Sequence, residues 1–391
     1  MNQMSPGVPV RAPFMPKQRI AVSLLFLING YMTGNWAPKI PEFIDRLGLT
    51  SGEMGLMIMA FGIGSLVLMP FAGAAIAHRG SRVVSRVTAL LLLPGMLMLT
   101  FAPNWWLAAT ALFYFGGMIG AMDVAMNANA VVVEKSMGRA IMSSCHGFWS
   151  LGGLIGAATG GYLIVHLGVV GHALVLTALA AILLLVAWAE IETDAPHPED
   201  EKQKVSLPLT PLPWLIGMMA LFSMIPEGSV LDWGALYLRN ELGTTLTHSG
   251  FAFAGFSLTM AVMRFAGDLV RDRFGAVMTL RICALAAMTG LLIAGFAPNA
   301  TVAILGFTIC GIGISNMVPI AFSAAGNLPG LPPGVGISVA TFLGYSGLLF
   351  APSIIGFIAE HTGFAPVYAG LSILIMVVLG LSRLARHADA A

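Results

Sequence analysis

The feature that most limits what this chain can fold into is a succession of long apolar segments with almost no charge between them. Charged residues make up 9% of the 391 and hydrophobic residues 57%, against about 25% charged in an ordinary soluble domain. So few charges cannot cover the surface of a water-soluble protein of this length. A bilayer span needs roughly 20 apolar residues. Twelve segments meet that need, at about 19–38, 54–76, 83–102, 105–131, 141–164, 170–190, 213–236, 248–270, 278–297, 300–324, 335–359 and 365–385. The expectation is an all-α membrane protein of twelve transmembrane helices embedded in the lipid bilayer. The 46 glycines fit it, since small residues let membrane helices approach closely.

Net charge is +1, so there is no basic field and no case for nucleic acid as a partner. Cys145, Cys283 and Cys310 lie in apolar segments without metal-ligand spacing, and read as small packing residues. No cofactor or metal is expected. The polar, basic first 18 residues precede a segment too long for a signal-peptide core, which reads as an uncleaved first span. With the N-terminus inside, the inner segments hold 15 Lys and Arg and the outer loops 3, namely Lys39, Arg46 and Arg239. Arg264 sits within a span. That asymmetry puts both termini in the cytoplasm.

One interruption stands out, "EIETDAPHPEDEKQKVSLPLTPLP" at 190–213. It is charged, Pro-rich and close to the midpoint, so it reads as a linker. The expected organisation is an N-terminal six-helix half over 1–190, a cytoplasmic linker over 191–212 and a C-terminal six-helix half over 213–391. The halves repeat. "FAPN" occurs at 101–104 and 296–299, "HLG" at 166–168 answers "HTG" at 361–363, "FAG" at 71–73 answers 265–267, Asn35-Trp36 answers Asp232-Trp233, and Gly120 with Asp123 answers Gly313 with Asn316. The offsets run from 193 to 197 residues. Six spans are an even number, so the repeats are parallel, related by an axis along the membrane normal.

Two parallel six-span halves around a charged linker resemble the major facilitator superfamily, whose marker between spans 2 and 3 is G-x-x-x-D-R-x-G-[RK]-[RK]. In the second half "GDLVRDRFG" supplies Asp272, Arg273 and Gly275, with Asp268 at the leading Gly position. In the first, "AAIAHRGSR" keeps Arg79, Gly80 and Arg82 but has His78 where the acid belongs. At finer grain, "DVAMNANAVVVE", "HGFWSLGGLIGA" and "PEGSVLDW" resemble a bacterial inner-membrane branch labelled YbjJ-like, distantly similar to the fucose/proton symporters. The resemblance implies the major facilitator fold, a central cavity lined by spans 1, 4, 7 and 10, a pathway within one monomer and no enzymatic activity. It implies no particular substrate.

Depth along a helix, at about 1.5 Å per residue, places Asn29, Asp123, Glu227 and Asn316 each roughly 15–21 Å from the nearest inner end, close to the midplane of a core about 30 Å thick. They fall on spans 1, 4, 7 and 10. An ionisable group in a span is by default a functional candidate; a static interhelical bond is the plainer reading of Asp123. Asp123, Asn127 and Glu134 share one helical stripe; Glu134, near the helix end, reads as a loop anchor. Pro226 and Gly228 flank Glu227 and predict a break or bend in span 7. Trp149 and Tyr345 offer aromatic faces to a solute, and Asn35 and Asn127 complete the expected substrate-binding set with Asn29, Asp123, Glu227 and Asn316. Asp123, Glu227 and His146 are the candidates for proton coupling. Trp36, Asp232 and Trp233, towards the outer ends of spans 1 and 7, read as interface residues or an outer gate. Arg264 needs a partner, with Asp123, Asp268 or an anionic substrate open to it. Arg79, Asp272 and Arg273 read as loop latches. "GGLIGAATGG" in span 5 resembles the Gly-rich motif of drug/proton antiporters, with Ala157 at the Pro position, and reads equally as a packing surface.

The expected function is secondary active transport of a small polar, sugar-like solute, driven by protons, since no nucleotide-binding loop is present. Proton-driven efflux of amphipathic drugs or metabolites is the alternative. An intramembrane enzyme finds no support in Gly-x-Ser-x-Gly or His-Glu-x-x-His spacing. A sensor that binds without translocating remains open.

Overall fold

The structure, a computed structural model, describes residues 15–137, 141–194, 210–329 and 335–389. Residues 195–209 of the expected linker lie outside the described residues. The described chain is helical throughout: α1 (Lys17–Gly34), α2 (Trp36–Leu47), α3 (Ser51–Arg79), α4 (Ser81–Leu92), α5 (Gly95–Phe101), α6 (Trp105–Met137), α7 (Met142–Trp188), α8 (Pro211–Asn240), α9 (Leu246–Ser249), α10 (Phe251–Gly295), α11 (Ala300–Gly326), α12 (Val335–Thr362), α13 (Phe364–Leu381) and a closing 3-10 turn (Ser382–Asp389). Ten stretches among the described residues are long and apolar enough to cross a membrane.

Two helices are too long to be single spans. Drawn straight, the 47 residues of α7 would reach about 70 Å, over twice a bilayer core. The chain leaves helical geometry at Gly168 (φ 69°, ψ 171°). Beyond that point it runs back: His172 bonds Asn35, Thr177 bonds the Leu93 carbonyl, and the Trp188 carbonyl accepts from Arg86. In α10 the same happens at Gly275 (φ 74°, ψ 162°). Such φ values belong to the left-handed side that a Cβ disfavours. The expected first span runs through Asn35, whose backbone stays in the right-handed helical region (φ −69°, ψ −16°), and continues as α2.

The sequence repeats acquire a structural meaning. Asn104 and Asn299, the last residues of the two "FAPN" runs, accept bonds from the backbone amides of Leu107 (3.0 Å) and Val302 (3.1 Å). Each is a helix cap at equal spacing. His166 and His361 bond the carbonyls four residues back, both at 2.9 Å. Gly168 and Gly363 follow with φ of 69° and 82°. Gly80 and Gly275, 195 positions apart, have φ of 78° and 74°. The amides that follow them are held by carboxylates also 195 positions apart: Ser81 N–H donates to Asp194 (2.7 Å) and Ala276 N–H to Asp389 (2.8 Å).

Packing follows membrane rules, in which small residues rather than hydrophobic exclusion bring helices together. A Cβ on Gly30 would lie 1.9 Å from the Trp149 carbonyl oxygen, so α1 and α7 touch backbone to backbone. In the "GGLIGAATGG" run a Cβ on Gly152 would meet the Leu27 carbonyl oxygen at 2.2 Å, in keeping with the packing reading of that motif. Large apolar side chains face outward, among them Trp106, Leu269 and Phe296, each at least 75% exposed. They are the surface that lipid covers.

Of the break or bend expected at Pro226, no break occurs. Helix α8 passes through it continuously. Pro226 lacks the amide that would bond the Phe222 carbonyl, and that single missing bond does not interrupt the helix.

Candidate functional site

A cavity of about 470 Å³ lies between the helices that precede residue 195 and those that follow residue 209. Helices α1, α3, α6 and α7 wall one side, and α8, α10, α11 and α12 the other. It reaches from Asp232 and Ile58 at one end to Met69, Arg271 and Thr279, near the turns at Gly80 and Gly275, at the other. Beyond Asp232 the two sets of helices are tied. Arg239 pairs with Asp45 (2.6 Å), the Gly52 amide donates to Glu360 (2.9 Å), and the Ser353 hydroxyl donates to the Gly55 carbonyl (3.0 Å). The cavity therefore extends toward the face that carries both termini and is closed toward the opposite one.

Asn29, Asp123, Glu227 and Asn316, matched in depth by the sequence, all line this cavity, as do His146, Trp149, Arg264 and Tyr345. The polar residues are tied to one another. Asn29 donates to the Ile119 carbonyl (3.1 Å) and accepts from the Trp149 indole N–H (2.9 Å), which locks α1 to α6 and α7. The Asp123 carboxylate accepts from Asn127 (3.2 Å) and from the Tyr345 hydroxyl (3.5 Å). Asn316 donates to the adjacent Ser315 hydroxyl (3.2 Å). His146 sets its ring edge-on to Phe26, with centroids 5.1 Å apart. The site can thus hold a solute by hydrogen bonds between aromatic walls, the usual design of a small-molecule pocket.

Arg264 pairs with Glu227 at 3.6 Å and donates to the Ser150 hydroxyl at 3.1 Å. Glu227 was not among the partners left open for it; Asp123 is bonded by Asn127 and Tyr345 instead, and the Asp268 side chain lies outside the described ones. Glu227 and Arg264 lie on α8 and α10, which the packing brings alongside each other, so the guanidinium meets the nearer carboxylate. Ser150 was missed, although it stands four residues after His146 on the same face of α7. Arg271 was also missed as a lining residue because its place in a loop motif assigned it to solvent; it bonds Ser323 (3.3 Å), the Ala388 carbonyl and Asp389.

Other expected site residues fall elsewhere. Asn35 is wholly buried away from the cavity, bonded to His172 (2.9 Å) and to the Tyr31 carbonyl (2.9 Å). That corrects its expected solute contact: it ties the junction of α1 and α2 to the part of α7 beyond Gly168. Asn127 stands behind Asp123 and bonds both its carbonyl and its carboxylate rather than lining the cavity. Trp36 and Trp233 are buried, edge-on to Phe43 and tilted against Phe364. Neither is at a lipid interface, a correction that reflects the helix contacts covering them. Asp232 does face the cavity. Arg79 is exposed, Arg273 lies over the Phe274 ring at 5.8 Å, and the Asp268 and Asp272 side chains lie outside the described ones. Glu134 accepts the Ile141 amide across the loop at 2.8 Å, as a loop anchor would.

Known proteins share both the sequence and the fold. An uncharacterized MFS-type transporter of Yersinia pestis is 33% identical over 94% of this chain and 95% of its own. Membrane protein MosC of Rhizobium meliloti is 30% identical over 92% and 87%. The nucleoside transporter NupG superposes with a TM-score of 0.72 at 12% identity, covering 94% of this chain and 99% of that one. The Escherichia coli fucose:proton symporter FucP does so with 0.65 at 21%, covering 95% and 98%. The family model described as Major Facilitator Superfamily matches residues 22–352. With that match over most of its length, the chain is a multi-pass membrane transporter and belongs to the Major Facilitator Superfamily.

Proposed function

We propose that this protein is a proton-coupled secondary transporter that moves a small polar solute across the bacterial inner membrane by alternating access. The observation that carries the reading is the cavity between two sets of helices, extending toward one face and sealed at the other by Arg239–Asp45, Gly52–Glu360 and Ser353–Gly55. We count α1 with α2, α4 with α5 and α9 with the first part of α10, and divide α7 at Gly168 and α10 at Gly275, to read twelve spans in two six-helix halves, 1–190 and 213–391. The excess of Lys and Arg on the terminal side puts that face in the cytoplasm, so this is the inward-facing state. Rocking one half on the other would break the outer ties and close the inner end.

A carboxylate, two amides, an indole and a phenol around one space suit a hydroxyl-rich solute, which both donates and accepts. Asp123, held by Tyr345 and Asn127, is placed to accept from such a hydroxyl. Glu227 is placed to exchange its tie to Arg264 when it takes a proton or when the halves move. The nucleoside and fucose named for the two fold relatives are solutes of this chemical kind, and at their identities they lend the fold alone. Efflux of an amphipathic compound is favoured by one feature, the apolar stretch of Phe61, Met69, Met224 and Phe322 on the cavity wall.

Ligand-induced thermal stabilisation of the purified protein separates the two. The panel holds sugars, polyols, nucleosides, organic acids and lipophilic cations, each at two pH values. A ligand at 10 times its dissociation constant adds about 1.4 kcal/mol of apparent stability. A neutral polar solute is expected to stabilise the wild type, more strongly at the lower pH because bound proton and solute favour each other, and to lose about tenfold in affinity in Asp123→Asn. Stabilisation by lipophilic cations alone would replace uptake with efflux.

A further inference from the structure

Of the three described carboxylates that line the cavity, two have partners. Asp123 is bonded by Asn127 and Tyr345, and Glu227 is paired with Arg264. Asp232, only 8% exposed, makes no hydrogen bond or ion pair among the described residues. It stands at the closed end of the cavity. Together with Gly228 it also lines a second void, of about 10 Å³, toward the sealed face between α8 and α12. That volume is at the lower limit for one water molecule.

The groups around Asp232 are committed elsewhere. From α13 the Tyr368 hydroxyl donates to the Ser229 carbonyl at 3.0 Å. From α12 Tyr345 donates to Asp123, and the remaining α12 face, Gly347, Ala351, Pro352 and Ile355, carries no titratable group. Arg264 of α10 is held by Ser150 and by Glu227 of α8 itself. Cys310 is the titratable group of the α11 face. Toward the far end of α8, Asp45 of α2 is paired with Arg239, and His248 of α9 bonds Thr245. The repeat shows what is missing. Asn35, the counterpart of Asp232, is bonded by His172; 195 positions after His172 stands Val367, which has no polar atom to offer.

Asp232 meets the cavity with little of its surface and no described partner, and a carboxylate so nearly desolvated without a partner is costly to hold charged. We propose that Asp232 is a proton-carrying residue of the transport cycle, protonated while it lies at the closed end of the cavity and releasing that proton when movement of the halves exposes it to the opposite face. The step is a proton transfer between water and the Asp232 carboxyl, with no other bond made or broken. The junction of cavity and sealed void is the position such a carrier needs, since a small separation of α8 from α12 changes which side wets it. The inference rests on the transporter reading for the purpose the proton serves, but not for its test.

Infrared difference spectroscopy of the protein in lipid, titrated in pH without any solute, reads the carbonyl stretch of protonated carboxyl groups. The expected result is a protonated-carboxyl band in the wild type that disappears in Asp232→Asn and survives in Glu227→Gln. A band unchanged in Asp232→Asn overturns the proposal. Should that variant fail to fold, the wild type decides: a hydrophobic carbodiimide, which reacts with protonated carboxyls, is expected to modify the Asp232 peptide, with labelling falling about tenfold per pH unit once the acid titrates. An unmodified Asp232 peptide overturns the proposal equally. Because neither measurement uses a solute, its failure is distinguishable from failure of the ligand panel.

Discussion

At the scale of single residues, the pair Glu227–Arg264 decides how the site behaves when disturbed. Its side chains are 20% and 12% exposed and 3.6 Å apart. Buried pairs of this kind contribute little net stability, but removing one partner strands the other charge. Glu227→Gln is expected to cost about 2 kcal/mol, at the low end for such pairs because a wet cavity adjoins them. Arg264→Met should cost a similar amount. The double variant should recover about half of the sum, a coupling of about 2 kcal/mol in a thermal-unfolding cycle. Simple additivity would mean that the two charges do not sense each other. This pair also marks the limit of reading residues from sequence. Depth along each helix located Asn29, Asp123, Glu227 and Asn316 correctly on one cavity, because rise per residue is fixed. It did not bring Glu227 forward as the partner of Arg264, because that pairing depends on the rotation of α8 and α10 about their axes, set by packing that leaves no periodic trace in so apolar a chain. Asn35 shows the same limit from the other side: its depth was compatible with the cavity, but its rotation points it at His172.

At the scale of elements, the helix ends carry the most legible code. "FAPN" looked like a weak coincidence at one site and a repeat at two. In the structure it is the same cap made twice, by Asn104 and Asn299. Asn104→Ala and Asn299→Ala should each lower stability by about 1 kcal/mol and add independently, since no bond joins the two ends. The carboxylate caps at Ser81 and Ala276 are a different matter. Asp194 and Asp389 each reach across 113 residues to hold an amide at the start of the helix that follows a left-handed glycine. A negative charge there meets both unsatisfied amides and the positive end of the helix. Asp194→Ala and Asp389→Ala are each expected to cost about 1–2 kcal/mol, read as lowered midpoints of thermal unfolding. A loss confined to one of them would show that the two turns are alike in geometry but not in load. Sequence inspection found the glycines and missed the acids, because a cap drawn from a distant segment has no local spacing to betray it.

At the scale of the whole molecule, an all-helical membrane chain and a twofold repeat were readable because they rest on length, composition and internal similarity. The side on which the cavity closes was not, because both states of a two-state transporter bury the same residues in different pairs. The closure can be tested through thiol chemistry. The native Cys145, Cys283 and Cys310 are buried, so the wild type is a quiet background. A cysteine in place of Met69, on the wall near the terminal face, should react with a membrane-impermeant maleimide applied from that face. One in place of Ser353, whose hydroxyl bonds Gly55 in the seal, should react from the opposite face at least tenfold more slowly. Bridging Asp45→Cys to Arg239→Cys with a bifunctional thiol reagent pins the seal where the ion pair now stands. Residual reactivity at position 353 should then vanish, while that at 69 persists at every pH. If position 353 stays reactive after bridging, the ties at 45–239 are not part of the closure. If 69 and 353 react equally fast from their two faces before bridging, the space between the halves is a continuous channel, and alternating access is the wrong description of it.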